Sequence, residues 1–357
     1  MLKPRPCIEA VIPYSSPILS RDGLCLDLNE NAMGCSPRVL DRLRNLTTEE
    51  IVRYPRREDG ECLVANFLRV APDQVLLTNG MDDALALIFS AYLGPDDELI
   101  FADPTFVMYP MLGQACGASI VRLQSDSDLR LPVASFLQTI SPRTRLIVIA
   151  NPNNPTGLPA SRADLLRIVE AAPHAAVLID EAYYDFLGET LMNELSRHPN
   201  LFVARTFSKA YGLAGLRLGV LIGAPEQIGF IRRFCPPFNV NAAALACLEA
   251  ALEDQDFIRD YIEHTRRSCR AIESVCRELG LHFWPSSANF VLVRIGEKLK
   301  AFVAAMHSRG IVVRDMSSNP GCEACARITA ATDDQMDKIL QAIRDSILEV
   351  RTSGVGY

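Results

Sequence analysis

The chain has 357 residues, more than one small hydrophobic core organises, so we expect a large domain and a smaller one. With 49% hydrophobic and 22% charged residues, its composition is that of an ordinary globular protein. The net charge of −7 argues against binding to nucleic acids or to anionic membrane surfaces. Apolar runs too short to span a membrane, and proline and charge near the N-terminus, argue against membrane insertion and a signal peptide.

Eleven cysteines, an odd number, without an export signal indicate a reducing cytoplasm, where most of them serve as core residues. Cys322 and Cys325 form a C-x-x-C pair, but a structural zinc site needs four ligands and usually two such pairs. No second C-x-x-C occurs, and the five histidines are isolated from one another. We therefore predict no metal site.

The N-terminal residues 1–35 are expected to form an extended arm, because four prolines exclude a long helix there. The arm ends in LDLNEN at Leu26–Asn31. Ser36 and Pro37 are typical of a helix start, and a second helix is expected over about 58–70.

From residue 74 onward the sequence alternates short apolar strands with helices, a pattern that predicts right-handed crossovers. We expect an α/β large domain in which a mainly parallel, seven-stranded sheet lies between helices. The predicted strands are 74–78, 98–102, 119–123, 145–150, 176–179, 201–204 and 218–222.

Beyond residue 225 the sequence becomes helical and then ends in a compact α+β unit. A helix predicted over 256–279 is long enough to link two domains. We assign residues 1–45 to the arm and part of the small domain, 46–255 to the large domain, and 256–357 to the small domain.

Lys209 is the only lysine between Lys3 and Lys298, although the chain has 36 basic residues. It lies in a loop of small residues, TFSKAYGLAGLR (206–217), after an apolar run. Arginine neither loses its proton nor forms a Schiff base, whereas a desolvated lysine does both. Either Lys209 carries out covalent chemistry or it is a surface lysine.

Ligands of open α/β sheets bind beyond the carboxyl ends of the strands. Four polar segments begin where predicted strands end, and we expect them to meet at one edge of the sheet. These segments are 80–82, 151–157, 180–183 and 206–217.

Asp180 ends a buried strand, where a carboxylate is costly unless it meets a cation. A helix cap or a salt bridge is the alternative interpretation. Together with Lys209, the phenol of Tyr183 and the amide of Asn154, this carboxylate suits a ring that has a basic nitrogen and a phenolate oxygen. Pyridoxal phosphate is such a cofactor, and it acts as an electron sink.

A phosphate group also needs a binding site of its own. Gly80 and the first amides of the following helix, from Met81 and Asp82, supply one half of it, because helix N-termini bind anions. Asp82 is given a backbone role, since its carboxylate would repel a phosphate. The hydroxyl of Thr206 and the guanidinium of Arg217 supply the other half.

Several of these motifs resemble those of a known protein family. NPNNPTG (151–157), DEAY (180–183) and the lysine loop are similar to fold-type-I pyridoxal-phosphate aminotransferases of classes I and II. Within this family the chain most resembles histidinol-phosphate aminotransferases, over nearly its whole length. The motifs that carry the closer resemblance are LDLNEN, RYP (53–55), PTFVMY (104–109), GIVVRDM (310–316) and RIT (327–329).

The resemblance implies roles for the candidate cofactor residues. Lys209 would bind the cofactor covalently and transfer the proton, and Asp180 would hold the ring nitrogen protonated. Tyr183 and Asn154 would bind the ring oxygen. Phe106 would stack on the ring, and its alternative role is that of a core aromatic.

The resemblance also implies a homodimer with shared active sites, because Tyr54 would reach the cofactor phosphate of the neighbouring subunit. Arg327 would bind the substrate anion, which is the carboxylate of glutamate or the phosphate of histidinol phosphate. Arg314 either adds a second contact or pairs with a surface carboxylate.

The expected reaction is amino transfer from histidinol phosphate to 2-oxoglutarate, a step of histidine biosynthesis, by a ping-pong cycle. The alternatives are an aminotransferase for aromatic or other amino acids and a threonine-phosphate decarboxylase of the same fold. A regulator that uses this fold to bind an effector needs an appended DNA-binding domain, and the chain starts directly with the arm. Ala32 and Ala330–Ala331 depart from the family pattern at parts expected to face the substrate.

Overall fold

The computed structural model describes residues 2–13 and 23–352, so residues 14–22 of the predicted arm lie outside the described residues. In its described residues the arm contains one helical turn and, at its end, a short strand that the sequence did not predict. The strands are β1 (Leu24–Leu26), β2 (Val75–Thr78), β3 (Glu98–Asp103), β4 (Ser119–Gln124), β5 (Thr144–Ala150), β6 (Ala176–Asp180), β7 (Leu201–Thr206), β8 (Gly219–Gly223), β9 (His282–Trp284), β10 (Phe290–Arg294), β11 (Ile311–Asp315) and β12 (Cys325–Thr329).

The predicted strands and longer helices are confirmed, with bounds that shift by three residues at most. The short helix α3 was missed, although Thr47 and Glu50 form the capping box that could have revealed it. The helices are α1 (Pro6–Glu9), α2 (Pro37–Arg44), α3 (Thr48–Val52), α4 (Arg57–Leu68), α5 (Gly80–Tyr92), α6 (Met108–Cys116), α7 (Val133–Thr139), α8 (Arg162–Ala171), α9 (Tyr184–Leu187), α10 (Pro225–Arg232), α11 (Ala242–Glu253), α12 (Gln255–Glu278), α13 (Leu299–Ser308) and α14 (Asp333–Thr352).

The larger sheet has seven strands in the order β2-β8-β7-β6-β5-β3-β4. The pairings from β7 to β4 are parallel, whereas β8 runs antiparallel to both of its neighbours. The expected mainly parallel sheet is therefore confirmed. Strands β2, β5, β6 and β7 end at the same edge, which places the segments that follow them together.

The smaller sheet has five strands in the order β1-β11-β12-β10-β9. Strand β1 pairs in parallel with β11, so the end of the arm belongs to this sheet. Helices α12, α13 and α14 supply apolar side chains to its core. Helix α2, by contrast, packs Val39 into the core of the large sheet, and the domain division at residue 45 stays a prediction.

Cys322 and Cys325 are buried beside Trp284 and Met316 in a small apolar cluster, and all eleven cysteines are free thiols. Among the residues that the structure describes, no group of three or more His, Cys, Asp or Glu side chains is arranged to hold a metal ion. Within the same residues, no helix combines the length and the apolar character that crossing a bilayer demands.

Candidate active site

The ends of strands β2 and β7 lie on the two sides of Gly219. Thr78 at the end of β2 and Thr206 at the end of β7 are both register partners of Gly219, the first residue of β8. A Cβ atom on Gly219 would lie 2.6 Å from the carbonyl carbon of Gly80, so only glycine allows this backbone approach. The first turn of α5 is thereby held against the loop that follows β7.

Gly80 lies beneath the guanidinium of Arg217. Its φ is +79°, and a Cβ atom there would lie 2.4 Å from Nη2 of Arg217. The same nitrogen donates a hydrogen bond of 2.9 Å to Oδ2 of Asp82. Sequence reasoning assigned Asp82 a backbone role only, whereas its carboxylate also anchors Arg217. The guanidinium and the N-terminus of α5 thus lie together, an arrangement suited to an anion.

The other part of this anion site contains a residue that sequence reasoning did not single out. The buried hydroxyl of Thr206 donates to Oγ of Ser208 at 3.0 Å, and the N–H of Ser208 donates back to Thr206 at 3.1 Å. The small hydroxyl directly before Lys209 was the signal that could have identified Ser208. Met81 lies in the core, so only its backbone could reach a ligand at this site.

Lys209 is half-buried and faces the end of the arm. Its Nζ donates a 3.0 Å hydrogen bond to the backbone oxygen of Leu28 and lies 6.0 Å from the centre of the Tyr183 ring. Burial and the neighbouring guanidinium of Arg327 lower the pKa of the Lys209 amine to about 8. Its partial burial, its hydrogen bond to the arm and its lowered pKa do not fit the surface-lysine alternative.

The arm segment Asp27–Asn29 connects the predicted residues around Lys209. Arg327 donates at 2.6 Å both to the backbone oxygen of Asp27 and to Oδ1 of Asn154. The Nδ2 group of Asn29 donates to the hydroxyl of Tyr183 at 2.8 Å. Sequence reasoning used LDLNEN only as part of a resemblance and missed this role. Since Oδ1 of Asn154 accepts from Arg327, its Nδ2 is the group that remains to donate to a ligand.

Asp180 is 4% exposed, and neutral donors bind both of its oxygens. Oδ2 accepts from the hydroxyl of Tyr109 at 2.6 Å, and Oδ1 accepts from the N–H of Ala182 at 3.0 Å. Burial raises the pKa of the Asp180 carboxyl to about 6. No salt bridge to Asp180 forms within the described residues, and Asp180 caps no helix, so neither alternative interpretation holds.

Three further predicted residues differ in their positions. Phe106 is half-buried and meets Tyr109 edge-to-face, with ring centres 5.8 Å apart, so it also serves the core. Arg314 is half-buried on β11, directly opposite Arg327 on β12. Tyr54 is 78% exposed and stacks on Phe238 at the surface.

The expectation that Ala330 and Ala331 face the substrate is wrong. Both side chains are buried in the core of the small sheet, and Ala32 packs at its edge. The N–H groups of Ala330 and Ala331 donate to the backbone oxygen of Asn289 and to Oγ of Ser268. These departures from the family pattern therefore lie in or against the core of the small sheet.

Residues 21–343 match the family model for aminotransferase class I and II, so the chain belongs to this family. A histidinol-phosphate aminotransferase of Pseudomonas fluorescens is 36% identical over 325 residues, which cover 88% of this chain and 86% of the relative. The resemblance seen in the sequence is thus confirmed.

Solved structures share the fold. A histidinol-phosphate aminotransferase of Sinorhizobium meliloti, crystallised with pyridoxal 5′-phosphate, matches with a TM-score of 0.90 and 24% identity, over 98% of this chain and 99% of that chain. A threonine-phosphate decarboxylase of Porphyromonas gingivalis matches with a TM-score of 0.78 and 23% identity, over 91% and 99%. At these identities the structures establish the fold, which confirms the fold-type-I architecture.

The raised pKa of Asp180 makes a prediction for the ligand-free protein. Its carboxyl shifts from 3.8 to about 6, so ionisation in the folded state costs stability above pH 6, and this cost disappears below about pH 4. Asp180→Asn should therefore stabilise the ligand-free protein at pH 8 by about 3 kcal/mol, and by about half as much at pH 5. Urea unfolding at the two pH values measures this. An equal gain at both would contradict the raised pKa.

Proposed function

We propose that this protein is a pyridoxal-phosphate-dependent aminotransferase that transfers the amino group of histidinol phosphate to 2-oxoglutarate. The observation that carries the proposal is the pair of contacts on the arm. The amine of Lys209 binds the backbone oxygen of Leu28, and the guanidinium of Arg327 binds that of Asp27. The Lys209 amine, as the reactive group, and the Arg327 guanidinium, as the anion-binding group, are thus held side by side because they bind adjacent peptide units of the arm.

The residues present fit pyridoxal phosphate. Asp180 is a buried carboxylate with neutral partners only, which suits a protonated ring nitrogen. Gly80 carries no side chain where one would collide with Arg217, so this guanidinium lies close to the start of α5, where it and the amides of Met81 and Asp82 would bind a phosphate.

The remaining cofactor contacts come from three elements. Thr206 and Ser208 would hold the phosphate from the lysine loop. Asn154 and Tyr183 would donate to the ring oxygen, and Phe106 would cover the ring face. When bound, pyridoxal phosphate supplies an electron sink for charge that develops on the carbon that bears the amino group.

Lys209 is the group that moves the proton. With a pKa of about 8, its amine gives up and regains a proton near neutral pH, as a general acid and base must. Leu28 holds this amine in place through its backbone oxygen. Burial raises the pKa of Tyr183, so its phenol stays protonated and can serve as a hydrogen-bond donor.

Two arginines support an anionic substrate. Arg327 and Arg314 are direct cross-strand neighbours, and two adjacent positive charges favour a phosphate or carboxylate beside them. One guanidinium can bind the phosphate of histidinol phosphate and, in the other half of the cycle, a carboxylate of glutamate. The activity named for the relative that is 36% identical supports this choice of substrate.

We further propose a homodimer with shared active sites in the cytoplasm. Tyr54 and Phe238 form an exposed aromatic pair, and Ile51, Val52 and Phe234 are further large apolar side chains exposed in neighbouring segments. Such a surface fits a protein interface. In a dimer, the hydroxyl of Tyr54 would reach the phosphate site of the partner subunit.

Gly80→Ala should weaken binding of pyridoxal phosphate about ten- to a hundredfold, because the new methyl group displaces Arg217 from the phosphate. Gly296→Ala is a matched control, since Gly296 has a φ of +89° and open space around its Cβ position. Titration of the cofactor-free protein with pyridoxal phosphate gives both dissociation constants. Equal effects of the two variants would show that backbone strain, and not the loss of the Arg217 contact, weakens binding.

A donor panel tests the reaction and its substrate. We expect histidinol phosphate to give the highest kcat/KM, above phenylalanine, tyrosine and threonine phosphate, with glutamate formed from 2-oxoglutarate. Lys209→Ala should lower turnover by about a thousandfold or more, whereas Lys300→Ala, at an exposed position, should not. Release of carbon dioxide from threonine phosphate without glutamate formation would favour the decarboxylase.

Mixed dimers test the shared site. Tyr54→Ala and Lys209→Ala homodimers should each be impaired, but a heterodimer of the two variants contains one site with an intact Tyr54 and an intact Lys209. We expect refolded mixtures to recover up to half of the wild-type activity per heterodimer. If mixing restored no activity while heterodimers formed, the two residues would belong to the same subunit's site.

A further inference from the structure

Tyr109 is a fully buried tyrosine that the proposed catalytic scheme does not yet use. Its side chain is 0% exposed, and its hydroxyl donates to Oδ2 of Asp180 at 2.6 Å. Burial and the Asp180 carboxylate raise the pKa of Tyr109 well above 10, so the phenol keeps its proton and acts as a donor. The contact joins helix α6 to the end of strand β6, 71 residues apart in the chain.

Packing alone does not explain a tyrosine at this position. The ring meets Phe101 and Phe106 edge-to-face, with centres 6.3 and 5.8 Å away, contacts that a phenylalanine makes equally well. A hydroxyl buried among aromatic side chains costs free energy unless it is hydrogen-bonded. Its hydrogen-bond partner is Asp180, and this contact explains why the position has a tyrosine and not a phenylalanine.

The charges that face Asp180 make this donor important. Asp82 on α5 and Glu181 on the same chain segment are carboxylates, and both disfavour ionisation of Asp180, as does burial. The phenols of Tyr109 and Tyr183 and the N–H of Ala182 are the other titratable or polar groups that act on it. Of these, Tyr109 is the side chain that stabilises the ionised form by a direct hydrogen bond.

Tyr109 also connects the carboxylate to the ring-covering residue. Its N–H donates to the backbone oxygen of Phe106 at 3.2 Å, and its ring edge contacts the Phe106 ring. One side chain therefore touches both the group that meets the ring nitrogen and the group that covers the ring face.

We propose that Tyr109 is a positioning residue, whose hydroxyl fixes the orientation of the Asp180 carboxylate and keeps it ionised for the cofactor's ring nitrogen. This inference rests on the proposed function, because it takes Asp180 as the partner of that nitrogen. The hydroxyl acts on Asp180 before any cofactor binds, so its effect is measurable in the cofactor-free protein.

The first test titrates Asp180 without cofactor. Carbon-13 NMR of the aspartate side-chain carboxyl groups, with Asp180→Asn used to assign the signal, gives its titration midpoint. Tyr109→Phe should raise this midpoint by about one pH unit, because a hydrogen bond to a charged acceptor contributes at least that much. Tyr92→Phe is the matched control, since it removes a hydroxyl that binds Gln227 at 2.7 Å elsewhere in the same domain.

The second test measures cofactor binding and turnover. Tyr109→Phe should weaken pyridoxal-phosphate binding about tenfold and move the acidic limb of the kcat profile to higher pH. In the Asp180→Asn background the same substitution should have little effect on binding, because its partner is gone. If Tyr109→Phe does not fold, 3-fluorotyrosine incorporated at position 109 alone, which is a stronger donor, should lower the Asp180 midpoint in the otherwise unchanged protein.

The outcomes separate this inference from the proposed function. The role of Tyr109 would be overturned, even in an active aminotransferase, if Tyr109→Phe left the titration of Asp180 unchanged. It would also be overturned if Tyr109→Phe lowered cofactor affinity equally in the presence and in the absence of the Asp180 carboxylate. A wild-type protein that transfers no amino group would overturn the proposed function, while the titration would still decide whether the hydroxyl controls Asp180.

Discussion

The hydrogen bond from the amine of Lys209 to the backbone oxygen of Leu28 joins the two halves of the molecule at the candidate active site. Leu28 follows strand β1, which pairs with β11 of the small sheet, whereas Lys209 follows β7 of the large sheet. The hydroxyl of Thr329 donates to the backbone oxygen of Leu26 at 2.8 Å, which ties the end of the arm to β12 of the small sheet. The site therefore depends on a segment near the N-terminus that contributes backbone atoms more than side chains.

Two neighbouring buried carboxylates, Glu181 and Asp180, have different hydrogen-bond and ion-pair partners. Glu181 pairs with Arg205 at 2.8 Å and accepts from Thr190, so its charge is balanced within the chain. Within the part of the chain that the structure describes, Asp180, one residue earlier, receives only neutral donors. Successive residues of a strand point to opposite faces, which places these carboxylates in different surroundings. Asp180, whose charge is not balanced by a cation of the described residues, is therefore the carboxylate available to a cationic ligand atom.

The fold could be predicted from the sequence because strand and helix signals are local, and they located the strand ends where Gly80, Asn154, Asp180 and Lys209 lie. The contacts between distant segments could not be predicted in the same way. Nothing near Tyr109 indicates a partner 71 residues away, and the acceptor at Leu28 is a backbone oxygen with no side-chain signature. Ala330 was expected to face the substrate, but its side chain is buried in the core of the small sheet.

A main-chain acceptor for the Lys209 amine affects how the enzyme can evolve. Replacing the side chain at position 28 leaves the oxygen that binds Lys209 in place, so this contact tolerates sequence drift that would destroy a side-chain contact. Selection can adjust the acidity of the Lys209 amine through Arg327 and Glu30, whose charges shift its pKa in opposite directions. The acidity of the amine is thus set by charged side chains, whereas its hydrogen-bond acceptor is set by the backbone.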